Sequence, residues 1–223
     1  MVKCSLVWFR ASDLRLADHV PMETAHRVSD IVAHVFVFDP AQWGRSRRGG
    51  FPRVGLHRAR FLLESLADLR QSLRSRGSTL LVRCGDTAAM LAQLATETSA
   101  SGVYTHAEAC TEEVLTESNV RSALSAVAGG GVPLHALWGA STMYGLDDLA
   151  GLDVRKALPP VFSTFRKHAE SRGRLRDPIP VPSVLRVSAY YTLSRTKRRL
   201  ERTDSIATMA HSLAPVPHAN QIQ

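Results

Sequence analysis

The stretch VKCSLVWFRASDLRL, residues 2–16, decides the fold. Val2 to Phe9 is β-branched, aromatic and apolar at almost every position, the pattern of a strand buried on both faces of a parallel sheet. Charge then enters at Arg10, with Ser12, Asp13 and Arg15 close behind, so a polar loop follows the strand. Ile31 to Phe38 (IVAHVFVF) repeats the theme, and Leu80–Cys84, Gly102–His106 and Pro133–Trp138 repeat it more briefly.

Helical patterns lie between these runs. The clearest covers Leu56 to Arg76, with Leu56, Ala59, Leu63, Leu66 and Leu73 at three-to-four spacing. Gly77 is its C-terminal stop. Asp86-Thr87 reads as a helix start ahead of Met90, Leu91 and Leu94, and Thr111-Glu112-Glu113 opens another helix that Gly129-Gly130-Gly131 ends. The alternation predicts a Rossmann-like α/β fold, a five-stranded parallel sheet with helices on both faces. In such sheets ligands bind outside the carboxyl ends of the strands, near the reversal of strand order. Here that means the segments after Phe9, Phe38, Cys84, His106 and Trp138.

The alternation stops after residue 150. The sequence predicts an α/β domain over 1–150, a connecting segment with one short helix over 151–182, and a disordered basic tail over 183–223. Pro178, Pro180 and Pro182 forbid a helix or a central strand in their segment. The formal charge is +8, and residues 174–223 hold eight Lys/Arg against three Asp/Glu, so most of the basicity sits in the tail. Weak, non-specific, salt-sensitive nucleic-acid binding through that tail is the expectation. Cys4, Cys84 and Cys110 have no metal spacing and read as reduced thiols. No apolar run approaches the roughly 18 residues of a spanning helix and no signal-peptide layout opens the chain. A soluble intracellular protein with no membrane contact is expected, its organelle open.

Five blocks, in order, resemble the N-terminal α/β domain of the photolyase/cryptochrome family, most of all its DASH-type branch. They are Trp8-Phe9-Arg10 with Asp13-Leu14-Arg15-Leu16; Val37-Phe38-Asp39-Pro40 with Gln42-Trp43; the helix Arg58 to Arg70; His106 to Glu113; and Trp138 to Tyr144 with Leu158 to Lys167. The loop after Phe9 departs from the family pattern. One extra residue separates Arg10 from Asp13, and Ala17-Asp18-His19 replaces a more typical His-Asp-Asn.

The resemblance implies a seat for an antenna chromophore, methenyltetrahydrofolate in most DASH-type members. It also implies that FAD and photorepair belong to a following helical domain, whose motifs are not found in these residues. FAD is therefore not expected on this chain alone, and three readings stay open. The chain is a folate-binding antenna domain not competent for photorepair alone, an interaction module docking on a separate flavin-binding domain or protein, or a truncated non-functional photolyase product.

The candidate cofactor-binding residues are Glu108, Glu112, Phe38, Asp39, Gln42 and Arg10. Glu108 and Glu112 follow the fourth strand, where a carboxylate can accept two N–H groups of a pterin. Glu112 also suits the first turn of a helix, where the dipole favours acids. Phe38, Asp39 and Gln42 would wall the same crevice. Arg10, Asp13 and Arg15 can equally pin a loop, and Arg45, Arg47 and Arg48 read as a solvated loop. No Gly-rich phosphate motif, nucleophile elbow or paired metal-ligand spacing occurs. No catalytic or metal residue is assigned, and histidines such as His34, His57 and His106 read as buried and satisfied.

Overall fold

A computed structural model describes residues 2–46, 49–139, 142–145, 148–149 and 158–186. Its centre is the expected parallel sheet of β1 (Cys4–Phe9), β2 (Ile31–Phe38), β3 (Leu80–Cys84), β4 (Ala100–His106) and β5 (Leu134–Leu137). The strand order is β3-β2-β1-β4-β5. The chain thus winds outward from β1 in one direction, then returns to build β4 and β5 on its other side. The reversal lies between β1 and β4, which pair in parallel through Leu6–Val103 and Val7–Tyr104.

Alternation along the strands sorts the core into two layers. Leu6, Trp8, Val35, Leu81 and Val103 face Leu91 and Leu94 of α4 (Thr87–Thr98) and Val120 and Leu124 of α5 (Thr111–Ser125). Val7, Phe9, Phe36, Phe38 and Val82 face the other way, onto Met22 and Ala25 of α1 (Val20–Val28) and onto α3 (Leu56–Arg74). The buried stripe of α3 is Leu62, Leu66, Leu69 and Leu73, at the spacing that repeats one helix face. Leu56, expected in that stripe, is 63% exposed at the start of the helix. A one-turn helix, α2 (Pro40–Trp43), follows β2, and α6 (Phe162–Arg172) lies in the 151–182 segment where one short helix is expected.

The helix start at Asp86 is a side-chain cap: its Oδ1 accepts from Ala89 N at 2.8 Å. Asp86→Ala leaves that N–H to water and should cost about 1 kcal/mol. A lowered denaturant midpoint at unchanged slope would register the loss.

Residues 174–186 do more than connect. Arg176 pairs with both carboxylate oxygens of Asp18 (2.8 and 3.3 Å), and Asp18 N donates to Ile179 O (2.8 Å). Leu185 is 3% exposed within the α1/α3 core layer, and its N–H donates to Arg76 O. Leu185 and Arg186, at the start of the stretch expected to be a tail, thus contact the domain, Arg186 N donating to His26 Nδ1 at 3.4 Å, while Val184 between them and the proline-rich segment is exposed. Residues 187–223, the rest of the expected disordered tail, lie outside the described residues. Among the described residues no helix is long and apolar enough to cross a membrane.

Candidate functional site

The carboxyl ends of β1, β2 and β4 open onto a crevice of about 660 Å³, at the reversal in strand order. Trp8, Phe36, Trp43, Phe61 and Leu62 supply apolar wall; Gln42, Arg53, Arg58, Glu108 and Glu112 supply polar groups. Phe61 is 71% exposed, leaving its ring free to cover a flat ligand.

The floor is held by a buried polar network. Arg10 Nη1 donates to Glu117 Oε1 at 2.5 Å, and Glu108 N donates to the same oxygen at 3.0 Å. Glu117 therefore ties the loop after β1 to the loop after β4. The Arg10 guanidinium also lies 4.9 Å from the Trp8 ring centroid, a cation–π contact. Asp13 is fully buried below this pair. It accepts from Arg10 N (2.6 Å) and from His106 Nδ1 (2.7 Å), and His19 Nε2 lies 3.5 Å away. Burial pushes the Asp13 carboxyl up, but hydrogen bonds and charge from His106 and His19 outweigh it and hold the group down to about 2.

Asp13, His19 and His106 bring three metal-ligating atoms within 4.8 Å of one another. Protonation decides against a metal there. His19 Nδ1 accepts from Met22 N as the cap of α1, so the ring proton sits on Nε2, the atom a metal would need bare. The cluster is a hydrogen-bonded anchor for the β1 loop.

The structure brings four of the six candidate residues to the crevice: Glu108, Glu112, Gln42 and Arg10 line it. Glu108 accepts from the Ser12 hydroxyl through Oε1, and its Oε2 has no partner among the described residues. Glu112 is ion-paired with Arg53, itself anchored on Ala41 O. Arg10 is spent on Glu117, so its charge is neutralised before any ligand arrives.

Phe38 and Asp39, the other two candidates, are placed elsewhere. Phe38 is 1% exposed in the core, edge-on to Phe36 and Trp43. Asp39 is 7% exposed; it caps α2 through Ala41 N and accepts from Thr87 N and Oγ1. Neither side chain lines the crevice.

Arg15 pins its own loop through Ala17 O and Asp18 O. Arg45 closes its loop on Gly50 O, and Arg47 and Arg48 lie outside the described residues. Among the histidines, His34 is buried with Ser78 and His26 as partners, whereas His57 is exposed on α3. His106 is only half satisfied, since its buried Nε2 has no partner. Cys4 is buried, but Cys84 and Cys110 are exposed.

Sequence reading missed Glu117, Arg53 and Ser12. Glu117 had a signal: with Val120 and Leu124 it occupies the buried i, i+3, i+7 stripe of α5, where an acid needs a partner. Arg53 and Ser12 are ordinary loop residues, and only the fold shows what they reach.

A family model for DNA photolyase matches residues 5–183. Cryptochrome DASH of Gloeobacter violaceus is 40% identical over 184 residues, covering 82% of this chain and 35% of that protein. Chloroplastic/mitochondrial cryptochrome DASH of Arabidopsis thaliana is 38% identical over 178 residues, covering 80% and 30%. The chain thus spans about a third of the length of these relatives. Among solved structures, a Synechocystis cryptochrome superimposes with a TM-score of 0.76 at 32% identity, over 84% of this chain and 38% of that one. A Sulfolobus tokodaii photolyase described with two FAD molecules shares the fold, with a TM-score of 0.64 at 19% identity over 87% and 42%.

Proposed function

The chain belongs to the DNA photolyase family, with DASH-like relatives, and on that premise we propose that its crevice seats a folate-type antenna chromophore, methenyltetrahydrofolate. Bound there, such a group would absorb light and pass the excitation on through space. What carries the reading is Glu108, a carboxylate at the reversal point with one oxygen unpartnered and its backbone fixed by Glu117. A volume of about 660 Å³ suits a drug-sized ligand. The residues present fit the group chemically. Glu108 can accept paired N–H donors from a pterin edge, Trp8 and Phe61 offer apolar wall, and Gln42 offers an amide. The Trp43 side chain adds apolar wall. In this reading Arg10 acts through Glu117, and Glu112 with Arg53 braces the crevice.

The test is the absorption spectrum of the gel-filtered chain after incubation with methenyltetrahydrofolate and, separately, with FAD. Wild type should retain the folate band, and Glu108→Gln should weaken affinity by about tenfold or more, as loss of a charged hydrogen-bond acceptor implies. Equal retention by both proteins, or retention of FAD alone, contradicts the reading.

A second reading, docking on a flavin-binding domain or protein, rests on exposed apolar side chains. Leu56 and Phe61 of α3 are 63% and 71% exposed, and Val114 and Leu115 of α5 are 48% and 60% exposed. Both helices begin beside the crevice, so a partner seated there would also cover its ligand.

A further inference from the structure

The first loop contains a closed four-residue turn. Asp13 N donates to Arg10 O at 3.2 Å, and Arg10 N donates back to Asp13 Oδ1 at 2.6 Å. Ala11 and Ser12 form the exposed tip of this turn, which rests on the fully buried Asp13. From that base the Ser12 hydroxyl reaches the loop after β4 and donates to Glu108 Oε1. Glu108 is thereby held twice, its backbone by Glu117 on α5 and its carboxylate by Ser12 on the β1 loop.

We propose that Ser12 is a positioning residue that sets the carboxylate of Glu108 for a ligand presenting two adjacent N–H donors. The proposal rests on the reading that Glu108 meets the chromophore. The chemistry suits the task. A hydroxyl has one proton to give, and giving it to Oε1 leaves Oε2 and one lone pair of Oε1 open. It also freezes a long, rotamer-rich side chain beforehand, so binding need not supply that ordering. Threonine can make the same bond; alanine cannot.

Two measurements on the full chain test it. In titrations with methenyltetrahydrofolate, Ser12→Ala should weaken binding by about fivefold, the scale of one partly exposed hydrogen bond to a charged group. Ser12→Thr should restore the affinity, and Ser12→Ala should add nothing once Glu108→Gln is present. Without ligand, side-chain NMR couplings of Glu108 should show one rotamer in wild type and averaging in Ser12→Ala.

Wild-type affinity in Ser12→Ala, with Glu108→Gln still weakened, overturns the role of Ser12 and leaves the folate reading standing. Full affinity in Glu108→Gln overturns both. A Glu108 side chain already averaged in wild type overturns the positioning role irrespective of any ligand.

Discussion

Asp13→Ala will cost the chain about 3–5 kcal/mol, the scale for breaking a buried hydrogen-bonded charge network from one side. The carboxylate is fully buried and accepts from Arg10 N and His106 Nδ1, with His19 Nε2 3.5 Å away. Alanine leaves those groups facing a cavity, and each unsatisfied buried polar group adds its own desolvation cost. Against a typical total of about 5–15 kcal/mol, the loss threatens folding at physiological temperature. Asp13→Asn should be milder. Its amide oxygen can still accept from Arg10 N, and its NH₂ can donate to His106 Nδ1 if that ring moves its proton to Nε2, the nitrogen now without a partner. Denaturant unfolding of the three proteins gives the ranking, and a midpoint for Asp13→Ala within about 1 kcal/mol of wild type would refute the anchor role.

Acid should unfold this protein earlier than its carboxylates alone would. Burial, with help from the Arg186 charge, lowers His26 to about 4. Burial first, then His26 and His19, holds His34 well below its ordinary value, and His19 is lowered mainly by burial. These rings stay neutral in the fold and take up protons when released. Their contribution is therefore intact above about pH 6.5 and is lost as pH falls from there toward 4. His26 alone accounts for a loss on the order of 3 kcal/mol across that window, and His34 and His19 act in the same direction. Asp13 enters lower, its stabilisation being lost between about pH 4 and 2 as the carboxylate protonates. Denaturant midpoints measured from pH 7.5 to 4.5 should fall steeply, and His26→Gln should flatten the slope. A flat wild-type profile would contradict the buried neutral histidines.

The sheet was legible because its strands are apolar on both faces, a local property. Ile31–Phe38 carries its own boundaries, with Asp30 before it and Asp39-Pro40 after. The placement of Glu108 and Gln42 at the crevice was legible for a related reason: polar residues just past strand ends project toward the ligand edge of such a sheet. Phe38 and Asp39 fit the same rule by position and failed it by direction. The last residue of β2 points into the α3 layer, and Asp39 is consumed in capping α2 and fastening Thr87. Pairings across the fold carry no local trace. Ser12 meets Glu108 across 96 positions and Arg10 meets Glu117 across 107. Leu185 was hidden similarly, since the proline-rich stretch before it forbids regular structure without forbidding packing.

The most direct measurement is a co-crystal structure of the chain with methenyltetrahydrofolate. The ring system should lie in the crevice between the β1 and β4 loops, its N–H edge on Glu108 and Ser12 still bonded to Oε1. A chromophore bound outside the crevice, or inside it with Glu108 turned away, would contradict the account.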